Sequence, residues 1–284
     1  MNKIEKIFPL IVITAVSAVL LFYARSKYVL SDKIPVISAD ARIVSLSPSI
    51  TREILLLDME PNLAGVTSFC PPLKRDVPKV GNLLNPNIEK IAAINPDILF
   101  FSEEDNPSMK FEGLLQSRIP LYKFRRNRTF EDIISNFIIL AKITGKHETA
   151  GKLLEQIRDD RLKILENRKK EKTGAFFLSS RPLISVSRES YINNILADAG
   201  IRNIIADFSN PYPIISVEFL LGSKPEIIFS TDPEADDFFT EIYKKADLKK
   251  PEVIIMSPDN VCYYTPSDYI ESLKFFYGTV NEKE

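Results

Sequence analysis

The sequence predicts an α/β protein: two αβ lobes with parallel-type sheets, linked by a single long helix and preceded by an N-terminal hydrophobic helix. Three observations carry this reading. Continuous apolar runs of strand length, such as Asp97-Ile-Leu-Phe-Phe101, alternate with segments of helical period, the pattern of a parallel sheet buried on both faces. The alternation gives way at residue 129 to two consecutive helical stretches, then resumes at Gly174. The chain opens on an uncharged apolar run over residues 7–24. The predicted organisation is a signal peptide or membrane anchor (1–30), a connector (31–41), an N-terminal lobe (42–128), a connecting helix (129–145) and a C-terminal lobe (146–284).

In the first lobe, residues 42–46 read as a buried strand, Ser47-Pro48-Ser49 as a break, and 51–57 as a return to helical spacing. Residues 63–66 form a second strand. Pro86 and Asn87 open a helix that Asn95-Pro96 ends, and strands follow at 97–101 and 120–124. Thr129 with Asp132 three residues on predicts a capping box. From there Ile133, Ile134, Phe137, Ile138, Leu140 and Ala141 give a broad apolar face up to Gly145, and a second helix runs over 148–168. In the second lobe, strands are predicted at 175–178, 226–230 and 253–256. Helices are predicted at 191–199, ended by Gly200, and at 266–276.

A chain of 284 residues can bury a sizeable core, and 45% hydrophobic with 26% charged residues is the composition of a folded protein. A net charge of −1 offers no general attraction to nucleic acid or anionic membranes. Lys3 and Lys6 precede the apolar run, and Arg25 and Lys27 follow it. Eighteen terminal residues, apolar all round, approach the length that crosses hydrocarbon, so the segment reads as an export signal or an uncleaved anchor. No cysteine ends the run, which excludes a lipoprotein anchor through it. The two cysteines, Cys70 and Cys262, fall in different predicted lobes and are expected to be free thiols.

Four segments, taken in order, resemble substrate-binding proteins of ABC importers of the metal-chelate type, in which one rigid helix joins two lobes. They are Arg42-Ile-Val-Ser-Leu-Ser-Pro-Ser-Ile-Thr51, Gly65-Val-Thr-Ser-Phe-Cys-Pro-Pro72, Lys79-Val-Gly-Asn-Leu-Leu-Asn-Pro-Asn-Ile-Glu-Lys-Ile91 and Pro211-Tyr-Pro-Ile-Ile-Ser-Val-Glu-Phe-Leu220. Lys224-Pro-Glu-Ile-Ile-Phe229 mirrors Asn95-Pro-Asp-Ile-Leu-Phe100. The resemblance implies an exported protein in the periplasm or at the outer face of the cytoplasmic membrane. It would capture cobalamin or a related corrinoid and deliver it to a permease and its ATPase. It also implies docking of the permease by Glu89 and Glu218, one in each lobe, each in the first turn of a short helix. The bland alternative for either glutamate alone is a favourable interaction with the helix dipole.

A ligand is expected between the lobes, at the carboxyl ends of the strands. The expected contacts are Ser49, Phe69, Cys70, Leu83 and Ser102 from the first lobe, and Arg181 and Tyr212 from the second. Phe69 and Tyr212 suit the apolar face of a corrin. For Phe69, core packing is an equal alternative. The loop from Thr67 resembles the cobalamin-binding branch, although the chain lacks tryptophan. Lys123, Arg125, Arg126 and Arg128 form a basic cluster that suits an anionic ferric siderophore or, more blandly, a solvated loop.

A siderophore or haem is therefore the alternative ligand, with axial haem ligation disfavoured by a single histidine, His147. A third reading is an anchored sensor or scaffold that keeps the fold. No enzyme is expected: the chain has no glycine-rich phosphate loop and no nucleophile elbow. No cofactor or metal is expected beyond the transported chelate. The acidic stretches 102–105 and 232–237 read as solvated loops.

Overall fold

The computed structural model describes residues 34–105, 119–168 and 171–281. The apolar run 7–24 lies outside these residues. Among the described residues no helix is long and apolar enough to cross a membrane.

The chain divides into two compact units. Of the described residues, one comprises those up to Thr51, Asp58–Phe124 and Lys142–Gly145. The other comprises Arg52–Leu57, Arg125–Ala141 and the chain from Lys146 onward.

The first unit is built on a four-stranded sheet of order β2-β1-β3-β4, parallel throughout. Its strands are β1 (Ile43–Ser45), β2 (Leu63–Val66), β3 (Ile98–Ser102) and β4 (Leu121–Phe124). Every residue of β1 and β3 is buried, as expected for a parallel sheet covered on both faces. Val44, Leu46, Leu99 and Phe101 join Val80 and Ile91 in its core. Helix α1 (Pro48–Leu56) follows β1 directly. It starts three residues earlier than the sequence reading had it. Ser47 acts as its N-cap, its Oγ accepting from the Ile50 N–H (3.2 Å) and its carbonyl from the Thr51 N–H (3.0 Å), while Pro48 takes the first helical position. The proline that reads as a break is therefore a helix start. Helix α2 (Ile88–Ile94) is capped by Asn87, whose Oδ1 accepts from the Lys90 N–H at 2.9 Å, and ends on Asn95 in the left-handed region (φ 49°).

Helix α3 (Phe130–Ile143) shows the predicted capping box. The Asp132 N–H donates to Thr129 Oγ1 (3.1 Å), and the Thr129 N–H donates to Asp132 Oδ2 (3.0 Å). Ile133, Phe137 and Leu140 are fully buried. Gly145, with φ 69°, allows the turn into helix α4 (His147–Glu166).

The second sheet has the order β6-β5-β8-β9, with β7 also paired to β5. Its strands are β5 (Lys172–Ser180), β6 (Leu183–Ser185), β7 (Ile201–Asn203), β8 (Ile227–Ser230) and β9 (Glu252–Ile255). All pairs are parallel except β5–β6. Two residues separate β5 from β6, and so short a link joins only antiparallel neighbours. Helices α5 (Tyr191–Asp198), α6 (Val217–Ser223), α7 (Ala235–Lys245) and α8 (Pro266–Asn281) complete the unit. The sequence reading has neither the three-residue strands β6 and β7 nor α7. It takes the start of α7, Asp236 and Asp237, as loop. The core gathers Phe177, Ile205, Ile215, Leu220, Ile228, Phe239 and Tyr243.

Candidate functional site

At the carboxyl end of β1 the chain buries a run of hydroxyls. Thr51 Oγ1 lies 2.9 Å from Ser45 Oγ and donates to the Ser47 carbonyl at 2.9 Å. The Cys70 sulfur sits 3.1 Å from Thr51 Oγ1 and 3.2 Å from Thr67 Oγ1. Buried polar groups persist only when hydrogen-bonded, and here they satisfy one another. Cys70 is thereby a loop-bracing residue, buried and free of any disulfide; Cys262 is also free and is exposed. Phe69, next to Cys70, turns outward and is 60% exposed, so the core-packing alternative for it does not hold. Ser49 and Ser102 are fully buried, and Leu83 is half-buried.

Ser47 donates to the Asp105 carboxylate, and the Glu104 N–H donates to Ser102 Oγ at 3.0 Å. The second unit repeats this device. Asp232 Oδ2 accepts from the Ser180 Oγ–H (2.6 Å) and N–H (2.7 Å), and the Asp232 N–H donates to Ser230 Oγ at 3.0 Å. The Ser180 hydroxyl and then its N–H hold the Asp232 carboxyl below the usual carboxylate range. These Ser–Asp pairs tie the end of one central strand to the loop after the next. The acids Asp105 and Asp232 are thus hydrogen-bonded parts of the strand ends rather than merely solvated. A serine at a strand end, with an aspartate two or three residues past a neighbouring strand, is the signal that was available in the sequence.

Arg181 is exposed, with its Nη2 3.4 Å from Glu241 Oε2 and its guanidinium 5.4 Å from the centre of the Phe238 ring. Tyr212 is half-buried, and its N–H donates to Asn210 Oδ1 at 2.9 Å. The basic cluster is partly spent within each unit: Lys123 pairs with Glu103 at 2.6 Å and Arg128 with Glu189 at 3.2 Å.

Glu89 and Glu218 are both exposed and both sit in the first turn of a seven-residue helix. Glu218 follows the N-cap Ser216, whose Oγ accepts from the Phe219 N–H at 3.1 Å. Its own N–H, and then the Ser216 hydroxyl, lower the Glu218 pKa and keep it an anion.

Comparison with known proteins follows the same lines. A family model described as periplasmic binding protein matches residues 43–259. The vitamin B12-binding protein of Vibrio campbellii is 28% identical over 210 residues, covering 70% of this chain and 76% of that protein. The one from Photorhabdus laumondii subsp. laumondii is 28% identical over 195 residues, 67% of this chain and 70% of that one. Among solved structures, the periplasmic vitamin B12 binding protein of Vibrio cholerae superposes with a TM-score of 0.72 at 23% identity. It covers 86% of this chain and 98% of its own. The periplasmic haem binding protein of the same organism gives a TM-score of 0.75 at 19% identity, covering 86% and 100%. These likenesses show the α/β fold with its parallel sheets. The matched span runs from β1 to the 3-10 turn Pro258–Asn260, and the chain belongs to the periplasmic binding protein family.

Proposed function

We propose that this chain is the exported substrate-binding component of an ABC importer, capturing a corrinoid of the vitamin B12 type and presenting it to a membrane permease. The observation that carries the reading is the alignment, over about two thirds of the chain, with several relatives named for vitamin B12 binding. Capture involves no covalent chemistry. The strand-end loops of each unit supply the contacts, with Phe69 offering an exposed ring to the apolar face of a corrin. Leu83 in the first unit, and Tyr212 and Arg181 in the second, are the further contacts of this reading, and Ser49, Cys70 and Ser102 hold the loops of the first unit in shape. Glu89 and Glu218 are the docking groups, charged and exposed on matched helices, and such groups govern orientation and encounter rate more than affinity. In this reading residues 7–24 deliver the chain across the membrane and anchor it there.

A ferric siderophore or haem is the second reading, favoured by the equally good superposition on a haem binding protein. Titration of the purified protein with cyanocobalamin, cobinamide, haem and a ferric catecholate, followed by calorimetry, separates the two. One-to-one binding of a corrinoid alone supports the first. Binding of haem or the catecholate alone replaces it with the second. Docking is tested apart from capture: Glu89→Ala with Glu218→Ala should abolish uptake and leave the calorimetric titration unchanged. Uptake that survives the double substitution would sink the docking assignment.

A further inference from the structure

Around Glu218 the second unit carries an apolar surface that its core does not use. Phe219, the next residue on α6, is 37% exposed, and Ile214 is 69% exposed. Both are held in place from behind. The Phe219 ring meets Phe208 edge-on, with centroids 5.2 Å apart and planes at 87°, and Phe208 packs on the core of the unit. The Phe219 N–H donates to the N-cap Ser216. Ile214 is bridged to Ile184, and the backbone on either side of it is pinned. The Ser185 N–H donates to the Pro213 carbonyl at 3.0 Å, and the Ile215 N–H donates to the Leu183 carbonyl at 2.9 Å. Pro213 and Ile215 are buried, so the alternation of extended chain turns Ile214 outward.

Single exposed apolar side chains are ordinary on a protein surface, but these two flank one uncompensated acid within six residues of chain. Among the described residues no cation pairs with Glu218. Residues 203–223 contain no lysine or arginine, and their other acid, Asp207, is taken by Arg188. The Glu89 corner is unlike this: Lys90 follows its acid, and its exposed apolar side chain, Leu84, stands on the turn before α2 rather than on the helix. We propose that Phe219 and Ile214 are the apolar anchors of the permease interface, set on either side of Glu218, and this rests on the docking reading above. The partner that fits is a permease face with a cation beside an apolar pocket. Arginine suits the cation, because its guanidinium pairs with a carboxylate and also lies on an aromatic face. Side chains already fixed lose little freedom when covered, so they add affinity where the exposed charge adds mainly orientation.

The test is uptake by the source organism carrying the full-length chain, with radiolabelled cyanocobalamin and haem as parallel probes. Ile214→Ser with Phe219→Ser should lower uptake of the imported probe by about tenfold, the loss expected of an interface anchor. The purified variant should keep the calorimetric titration and the melting temperature of the wild type. Ile214→Ser alone is the second variant, since it leaves the Phe208–Phe219 contact intact, and it should lower uptake by itself. Glu89→Ala with Glu218→Ala runs beside them. Uptake lost in the acid variant but kept in both apolar variants would overturn the anchors and leave the docking groups standing. Uptake kept in all of them, or a wild type that imports neither probe, would overturn the docking reading and the anchors with it. A weakened titration in the apolar variants would assign the two side chains to ligand capture instead. Sedimentation showing a wild-type dimer that the variants lose would assign them to a second copy of the chain. Either result would overturn the proposal.

Discussion

The helix–strand corner α2–β3 in the first unit and its counterpart α6–β8 in the second use one design with different residues. Each helix has a polar N-cap, Asn87 or Ser216, and a first-turn glutamate, Glu89 or Glu218. Each buries one apolar residue completely, Ile91 or Leu220. Each ends in a left-handed residue, Asn95 (φ 49°) or Lys224 (φ 46°), followed by proline. Each then places an acid on a backbone N–H of the neighbouring strand region: Asp97 accepts from Arg42 N–H and Glu226 from Thr173 N–H, both at 2.7 Å. What differs is the surface around the glutamate. Lys90 follows Glu89, whereas Phe219, stacked edge-on against Phe208 at 5.2 Å, follows Glu218, and Ile214 nearby is 69% exposed. The shared groups are those that build the corner, and the divergent ones face outward, where packing does not constrain the choice.

The largest expected effects break the corner itself. Ile91→Ala and Leu220→Ala should each cost about 3 kcal/mol, because both side chains are fully buried and a cavity remains. Equal losses in denaturant unfolding would support equivalence of the two corners. A loss below about 1 kcal/mol at either one would show that its unit closes over the gap, as a loosely packed site does.

Much of this architecture was legible in the sequence because it rests on local rules. The apolar runs gave the central strands, the Thr129–Asp132 spacing gave a capping box that is present atom for atom, and Asn95-Pro96 gave a helix end. What was not legible depends on partners far along the chain. Strands β6 and β7 are three residues each and are defined by pairing with β5, which no local periodicity reveals. Helix α7 hides in an acidic stretch whose Asp236 and Asp237 suit a helix start as well as a loop. At the candidate site, Phe69 and the two glutamates stand out through the motifs around them, and the structure adds that all three are exposed. The Ser47–Asp105 and Ser180–Asp232 pairs, 58 and 52 residues apart, leave a signal at the strand ends, but matching each serine to its aspartate needs the strand order, which no local pattern supplies.

The left-handed caps sharpen the comparison. Asparagine tolerates positive φ and lysine does so poorly. Lys224→Gly should therefore stabilise the protein by about 1 kcal/mol, and Asn95→Gly should change little. Thermal unfolding of the two variants measures the gap directly. A gain at Asn95 as large as that at Lys224 would mean that side-chain identity does not set the strain at these caps.

The smallest effect lies in the acids that join each corner to its sheet. Glu226 accepts from both the Thr173 N–H and the Thr173 hydroxyl, the latter at 2.9 Å, and these bonds lower its pKa below the ordinary value of 4.5. A lowered folded pKa gives stability that is present above the ordinary value and is lost as pH falls through the folded one. Glu226 stands in solvent, so screening keeps the contribution small. Glu226→Gln should leave stability at neutral pH slightly lower and flatten the acid limb of the stability profile below about pH 4.5, where the wild type loses what the variant never had. An acid limb that keeps its slope in the variant would place the acid sensitivity of this corner elsewhere. It would also separate the role of Glu226 from the hydrogen bonds that make it the counterpart of Asp97.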